Sequence, residues 1–256
     1  MRWDPAQYAR YADERGRPFV DLLAQVGATE PRRVVDLGCG PGTLTTLLAQ
    51  RWPRAVVEGI DSSPEMIAKA APLATARLSF AVADVASWSV PADADVVFSN
   101  ALLQWVPTHV ELLRRWADEL PSGGWLAFQV PGNFGAPSHV TMRALAASPR
   151  WASSLSGVLR GEETVGSPAS YASVLLDSGL SVQAWETTYL HVLPGPDPVV
   201  EWLRGTGLRP VLAALPPDDA EEFTAQLAAR LREAYPPGPH GTMFPFRRLF
   251  VVASKP

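Results

Sequence analysis

The stretch that most constrains this chain runs from Arg33 to Leu48. The strand-like run Arg33-Val34-Val35-Asp36-Leu37 breaks into Gly38-Cys39-Gly40-Pro41-Gly42, and Leu44, Leu47 and Leu48 then return at helical spacing. This is the signature of a strand, a glycine turn and a helix, and the pattern recurs. A second strand, Ala55–Ile60, ends at Asp61. Ser62-Ser63-Pro64-Glu65 then combines a serine cap, a proline suited to a first helical turn and a glutamate placed for a capping box, which predicts a helix from Pro64 to about Ala71. Leu78–Ala83 and Ala94–Ser99 read as further strands. Val110, Leu113, Ala117 and Leu120 mark a helix face, and Trp125–Val130 reads as a fifth strand after the turn Ser122-Gly123-Gly124. Alternation of this kind predicts an α/β fold with a doubly wound, mostly parallel sheet.

Two amphipathic pieces, near Pro5–Tyr11 and Pro18–Val26, precede the first strand, and beyond Pro131 the rhythm changes. Pro, Gly and Ser interrupt the pattern to about Ser170, before a helix near Tyr171–Asp177. Val182–Leu193 and Phe244–Ala253 are extended and β-rich, which brings the sheet to seven strands, the last two expected as an antiparallel pair. Between them, Phe223, Leu227 and Leu231 repeat every four residues like a helix stripe. The expected organisation is a core of residues 1–131 with an N-terminal lid segment, completed by strands in 180–193 and 240–256. Residues 132–179 and 194–239 would form an inserted, mostly helical cap.

Composition narrows the function classes. The 256 residues carry a formal charge of −4, so no general cationic field gathers phosphate backbones, and a nucleic-acid partner is not expected. One cysteine, Cys39, allows neither an intramolecular disulfide nor a thiolate metal cluster, and four scattered histidines add no metal site. The first residues lack a charged-then-apolar leader, and no apolar run approaches the roughly 20 residues needed to span a bilayer. The expected location is the cytoplasm, without a membrane partner. The sequence leaves the oligomeric state open.

In an open α/β sheet, ligands bind beyond the carboxyl ends of the strands. Gly38, Gly40 and Gly42 fall there, letting a ligand approach the backbone closely, and the helix starting near Thr43 is expected to offer free N–H groups. Asp61, 25 residues after Asp36, is placed to accept hydrogen bonds from two ribose hydroxyls. The turn reads G-x-G-x-G rather than the G-x-G-x-x-G of a pyrophosphate grip. Asp36 close by would repel a diphosphate and attract a cationic amino-acid head, so a zwitterion carrying a sulfonium suits the site better. In the second half, Arg204, Arg209, Arg247 and Arg248 lie in otherwise apolar surroundings. A partly buried guanidinium needs a partner, either a protein carboxylate such as Glu201 or Glu233, or an anionic substrate gripped at two points.

The run Val34-Val35-Asp36-Leu37-Gly38-Cys39-Gly40-Pro41-Gly42, taken with Asp61, resembles the first motif of the class I S-adenosylmethionine-dependent methyltransferases. That resemblance implies a Rossmann-like methyltransferase with S-adenosyl-L-methionine as cofactor. Gly38, Gly40 and Gly42 would pack against its methionine part, and Asp61 would hold the ribose. Ser62 and Met66 would lie near the adenine, and Asp84, followed by Val85, would receive the adenine amino group. Asn100 would lie beside the methyl group, while Gln7, Tyr8 and Tyr11 would close over the donor. No Asn/Asp-Pro-Pro-Tyr/Phe run follows the fourth strand, which argues against base amino groups as acceptors.

Trp3-Asp4-Pro5, Gln104-Trp105-Val106-Pro107, Pro131-Gly132-Asn133, Thr187-Thr188-Tyr189-Leu190-His191, Thr206-Gly207-Leu208-Arg209-Pro210 and Phe246-Arg247-Arg248-Leu249-Phe250 extend the resemblance to carboxyl O-methyltransferases of small polycarboxylic acids. This implies a monomethyl ester of trans-aconitate or a similar acid as product, with no general base required. Arg204, Arg209 and one of Arg247 or Arg248 would hold the anion, and Tyr189, His191 and Asn133 are hydrogen-bond candidates. Two alternatives stand beside this. A hydroxyl or carbon acceptor would need a base such as His139 or His191, and a cofactor-binding regulatory module would perform no transfer.

Overall fold

The computed structural model describes the backbone from Ala12 and side chains from Gly16, in both cases through Pro256. The chain divides into two compact units. The first holds residues 15–131, 165–187 and 248–256; the second holds 132–164 and 188–247.

The first unit carries the strand and helix alternation. After α1 (Ala12–Ala24) come β1 (Arg33–Leu37), α2 (Thr45–Arg51), β2 (Val56–Asp61), α3 (Pro64–Ala70), β3 (Leu78–Val82), β4 (Ala94–Asn100), α4 (His109–Glu119) and β5 (Trp125–Pro131). The strands β1 to β5 pair in parallel, and β8 (Gly241–Ser254) runs antiparallel beside β5. The sheet order is β3-β2-β1-β4-β5-β8-β6, where β6 is Ser181–Leu193; the two-residue β7 (Pro237–Gly238) pairs with β8 as an eighth strand. The order reverses between β1 and β4, which places the carboxyl ends of β1, β2 and β4 at the crevice where ligands of such sheets bind.

The central strands β1, β4 and β5 are buried on both sides because helices cover both faces. Val35, Leu37, Val97, Leu126, Phe128 and Val130 meet Leu113, Trp116 and Tyr171 in one apolar cluster. On the other face Phe19 of α1 packs on Phe98 with ring centroids 4.6 Å apart. The helix α7 (Pro168–Asp177) belongs with this sheet and not with the inserted residues, so the boundary falls at 165 rather than 180. A closed polar network supplies one reason. The carbonyl of Val106 can only accept, so His109 donates to it from Nδ1 at 2.9 Å; Nε2 then accepts from the Tyr171 hydroxyl at 2.9 Å, whose oxygen accepts from the Gly166 N–H at 3.0 Å. With every member satisfied, a buried network fixes its geometry, and here it ties α7 to α4.

The second unit is built from α5 (Pro137–Ala146), α6 (Ala152–Leu155), α8 (Pro198–Arg204), α9 (Arg209–Ala214) and α10 (Pro217–Ala234), together with portions of β6 and β8. The stripe Phe223, Leu227, Leu231 of α10 is buried as its spacing predicts, each side chain contributing about 1.5–3 kcal/mol. Phe223 meets the edge of Trp151 at 5.5 Å, and Trp202 meets Phe244 at 5.7 Å and Phe246 at 5.3 Å. Its boundaries at 188 and 247 take in the ends of two strands that the sequence reading assigns to the sheet.

Candidate functional site

The glycine turn closes the carboxyl end of β1. Gly38 N–H and Cys39 N–H both donate to the Ile60 carbonyl, at 2.8 and 3.0 Å, and Gly42 N–H donates to the Cys39 carbonyl at 3.1 Å. Gly40 N–H donates to Asp61 Oδ2 at 3.0 Å. Pro41 has no N–H, so every N–H from Gly38 to Gly42 is spent within the protein. The turn is therefore no nest for a diphosphate, which needs such groups free. The helix does not begin at Thr43 but at Thr45, and it is only seven residues long.

Two of the glycines do different work. Gly42, at φ +77°, is pressed between protein groups: a Cβ there would lie 2.7 Å from the Phe80 ring and 2.8 Å from Ala70 Cβ. Gly40, at φ +55°, faces open space, and a Cβ there would meet nothing within 4 Å. Gly42 lets the chain pack on itself; Gly40 leaves room for something else.

Asp61 ends β2 with both oxygens engaged once, Oδ2 by Gly40 and Oδ1 by Ser63 N–H at 2.8 Å. Each carboxylate oxygen retains a lone pair, which fits the acceptance of two ribose hydroxyls. Ser63 caps α3, its hydroxyl accepting from Met66 N–H at 3.3 Å. This sets Glu65 at the second rather than the third helical position, so the expected capping box does not form. Ser62 is exposed, and Met66 is buried. Asp84 is exposed, with Oδ1 accepting from Ala86 N–H at 2.9 Å and Oδ2 open to a ligand amino group; Val85 points into the apolar cluster of the sheet.

Asp36 is almost wholly buried and accepts from the Thr45 hydroxyl at 2.7 Å. Burial pushes its carboxyl up to about 7, the Thr45 hydrogen bond pulls it down, and the charge of Asp61 raises it further. It therefore keeps its proton up to about neutral pH. Cys39 is buried and its thiol is pushed far above the usual range, chiefly by burial and then by the charges of Asp36 and Asp61, so it is no nucleophile.

Asn100 closes β4, and the next residue, Ala101, takes the left-handed backbone at φ 58° with its N–H donating to the Gln129 carbonyl at 2.9 Å. That turn brings Leu102 under Gly38, where a Cβ would lie 2.9 Å from Leu102 Cβ. Strain at one alanine, about 1–2 kcal/mol, is stored where β4 meets the crevice. Asn100 Oδ1 is buried without a hydrogen-bond partner. Arg248, also in this unit, is buried and donates from Nη1 to Gln129 Oε1 at 3.3 Å. The sequence reading missed Gln129 and Thr45. A lone glutamine inside Trp-Leu-Ala-Phe-Gln-Val was the available signal for Gln129.

The remaining acceptor candidates lie in the second unit. Arg204 is committed at least in part to Glu201, with Nε to Oε1 at 2.9 Å, which is the protein-carboxylate pairing weighed from sequence. Arg209 opens α9 and is half-buried, whereas Arg247 is exposed and departs from the burial its flanks suggested. In a strand, neighbours alternate sides, so apolar flanks do not bury both members of an Arg-Arg pair. Asn133 is buried as a clamp on β8: Nδ2 donates to the Arg247 carbonyl and Oδ1 accepts from Arg247 N–H, both at 2.8 Å. Its amide serves the backbone, unlike the substrate hydrogen bond expected of it. Tyr189 and His191 are buried, and the His191 ring stacks on Trp202 at 4.8 Å.

His139 accompanies Arg143 and Arg160. Burial, followed by the charges of these two arginines, lowers it to about 4, so it is neutral at physiological pH. Gln7, Tyr8 and Tyr11 lie outside the described residues. Among the described residues no group of His, Cys, Asp and Glu could hold a metal ion, and no helix is long and apolar enough to cross a membrane.

Residues 34–124 match a family described as a methyltransferase domain. A Streptomyces avermitilis protein named trans-aconitate 2-methyltransferase is 54% identical over 260 residues, covering 99% of this chain and 97% of that protein. A Rhodococcus jostii protein of the same name is 56% identical over 253 residues, covering 98% of each. Among solved structures, the YcgJ protein from Bacillus subtilis matches with TM-score 0.60 at 15% identity, covering 93% of this chain and 98% of that one. Haemonchus contortus phosphoethanolamine N-methyltransferase 2 in complex with S-adenosyl-L-methionine matches with TM-score 0.57 at 18% identity, covering 94% of this chain and 52% of that one. The two structural likenesses speak for the fold, and identity above one half across nearly the full length of both partners speaks for more: this chain belongs to the S-adenosylmethionine-dependent methyltransferase family.

Proposed function

We propose that this enzyme transfers the methyl group of S-adenosyl-L-methionine to a carboxylate of trans-aconitate, forming a monomethyl ester. The observation that carries the substrate is the 54–56% identity, end to end, to two proteins bearing that name. The residues of the first unit fit the cofactor: Gly40 leaves space, Asp61 keeps two lone pairs for the ribose, Asp84 keeps an oxygen for the adenine amino group, and the buried Asp36 carboxyl, held near 7, would ionise against a cationic head.

When bound, S-adenosyl-L-methionine supplies an electrophilic methyl group on a sulfonium, which an ionised carboxylate oxygen accepts while the carbon–sulfur bond breaks and its electron pair stays on sulfur. The acceptor has a reference pKa near 4 and carries no proton at neutral pH, so no side chain need act as base. What the chain contributes is placement. Arg209, Arg248 and, less committed to it, Arg204 and Arg247 are proposed to hold the carboxylates, with Tyr189 and His191 as hydrogen-bonding partners. Arg209→Ala should weaken binding of the acid and leave cofactor affinity nearly unchanged. The lone buried thiol suits a reducing compartment, and we place the enzyme in the cytoplasm without a nucleic-acid partner.

The test is incubation with labelled methyl donor and a panel of di- and tricarboxylic acids, followed by mass analysis. Label in a monomethyl ester of trans-aconitate supports the assignment; label only in hydroxyl or carbon acceptors, or none at all, overturns it.

A further inference from the structure

At the carboxyl ends of β4 and β5 the first unit holds a polar patch whose buried amide groups are only partly satisfied. Asn100 and Gln129 are parallel register partners and so share a face of the sheet. Their neighbours Phe128 and Val130 point into the apolar cluster on the opposite face. Arg248 pairs with Pro131 across the antiparallel β5–β8 ladder and reaches Gln129 from the next strand. Gln129 is fully buried. Its Oε1 accepts from Arg248, which assigns the other end of the amide as the NH2, and that Nε2 is buried with no hydrogen-bond partner. Asn100 Oδ1 beside it is likewise without one. A donor left unmade inside a protein is costly. The strained backbone at Ala101 follows directly after Asn100, and Ala101 is itself bonded to the Gln129 carbonyl.

We propose that Gln129 is an acceptor-binding residue: Oε1 sets the orientation of the Arg248 guanidinium, and Nε2 donates a hydrogen bond to an oxygen of the carboxylate that the guanidinium holds. The inference rests on the polycarboxylate reading above and refines it. A carboxylate is acceptor-only and matches an arginine fork flanked by one further N–H donor. A neutral amide is the side chain that performs both tasks, because it accepts from a cation at one end and donates to an anion at the other. Glutamate performs only the first, and methionine, of similar length, performs neither.

The experiment compares the wild-type chain with Gln129→Met and Gln129→Glu. It measures KM and kcat for trans-aconitate, direct binding of the acid in the presence of S-adenosylhomocysteine, and affinity for S-adenosylhomocysteine itself. Gln129→Met should raise the acceptor KM by about ten- to a hundred-fold, the range for a lost hydrogen bond to a charged group, with S-adenosylhomocysteine affinity unchanged. Gln129→Glu should raise it at least as far, since it keeps the hold on Arg248 but turns a like charge toward the acid. Near-wild-type acceptor binding in Gln129→Glu would show that Gln129 only props the arginine, and an unchanged KM in Gln129→Met would show no role at all; either overturns the inference while the polycarboxylate reading stands. Equal loss of S-adenosylhomocysteine affinity in both variants overturns the assignment to the acceptor. An acid neither turned over nor bound by the wild-type chain overturns both readings together.

Discussion

Replacing Gly40 and Gly42 by alanine, one at a time, separates a turn that packs from a turn that binds. Both residues sit at positive φ, so each alanine carries about 1–2 kcal/mol of left-handed strain, offset by about 0.4–1 kcal/mol from a stiffer unfolded chain. At Gly40 the new methyl meets nothing within 4 Å, and the net loss of stability should stay near 1 kcal/mol. At Gly42 it meets the Phe80 ring at 2.7 Å and Ala70 Cβ at 2.8 Å, both held by the sheet and α3, and overpacking adds about 1–3 kcal/mol. Denaturant melts of the cofactor-free protein should therefore rank Gly42→Ala well below Gly40→Ala. Titration calorimetry with S-adenosylhomocysteine should show the larger affinity loss per unit of lost stability at Gly40, about ten- to a hundred-fold, because the methyl takes space kept for the ligand. Two results would refute the reasoning: Gly40→Ala binding S-adenosylhomocysteine as tightly as wild type, or Gly42→Ala melting together with Gly40→Ala.

Asp61→Asn turns an NH2 toward a backbone N–H of either Gly40 or Ser63, and calorimetry should record at least tenfold weaker cofactor binding together with about 1–3 kcal/mol of lost stability. Asp36 keeps its proton to about pH 7 when folded but ionises near its ordinary value of 3.8 when unfolded. Stability therefore falls as pH rises from about 4 to 7 and levels off above. S-adenosylmethionine affinity, which gains from the ionised form, should climb through pH 7, and Asp36→Asn should flatten both profiles. His139 behaves in the opposite sense: its folded value of about 4 lies below the ordinary 6.5, so its contribution is complete above pH 6.5 and is lost as pH falls from there to about 4. Denaturant melts of His139→Phe across that window should lack the slope. A methyl-transfer rate that instead tracked a group titrating near 4 and vanished in His139→Phe would favour a hydroxyl acceptor and a histidine base.

The sheet was legible because each of its parts is written locally. Apolar runs five to seven residues long, punctuated by Gly or Pro, predict β1 to β5 to within a residue or two, and Ser63-Pro64 predicts the start of α3. The cofactor residues were legible for the same reason, since Gly38–Gly42 and Asp61 sit at the ends of strands that the sequence already marks. What escaped depends on contacts between distant residues. That Asn133 would be consumed by the Arg247 backbone follows from a pairing 114 positions apart, and that Arg248 is buried while Arg247 is exposed follows from which face of β8 meets β5. The membership of α7 in the sheet unit was hidden likewise, because the His109–Tyr171 bond spans 62 positions. Glu65 shows the smaller failure: with Ser63 as the cap and Pro64 first in the helix, the glutamate falls one position short of the place a capping box needs.

Asp61 clasps the glycine turn with one oxygen and the first turn of α3 with the other. Hydrogen bonds made by the protein's own groups thus hold the cradle's shape, and a site shaped in that way spares its ligand part of the entropic cost of ordering it. Association should be correspondingly quick, with little rearrangement of the backbone around the ribose.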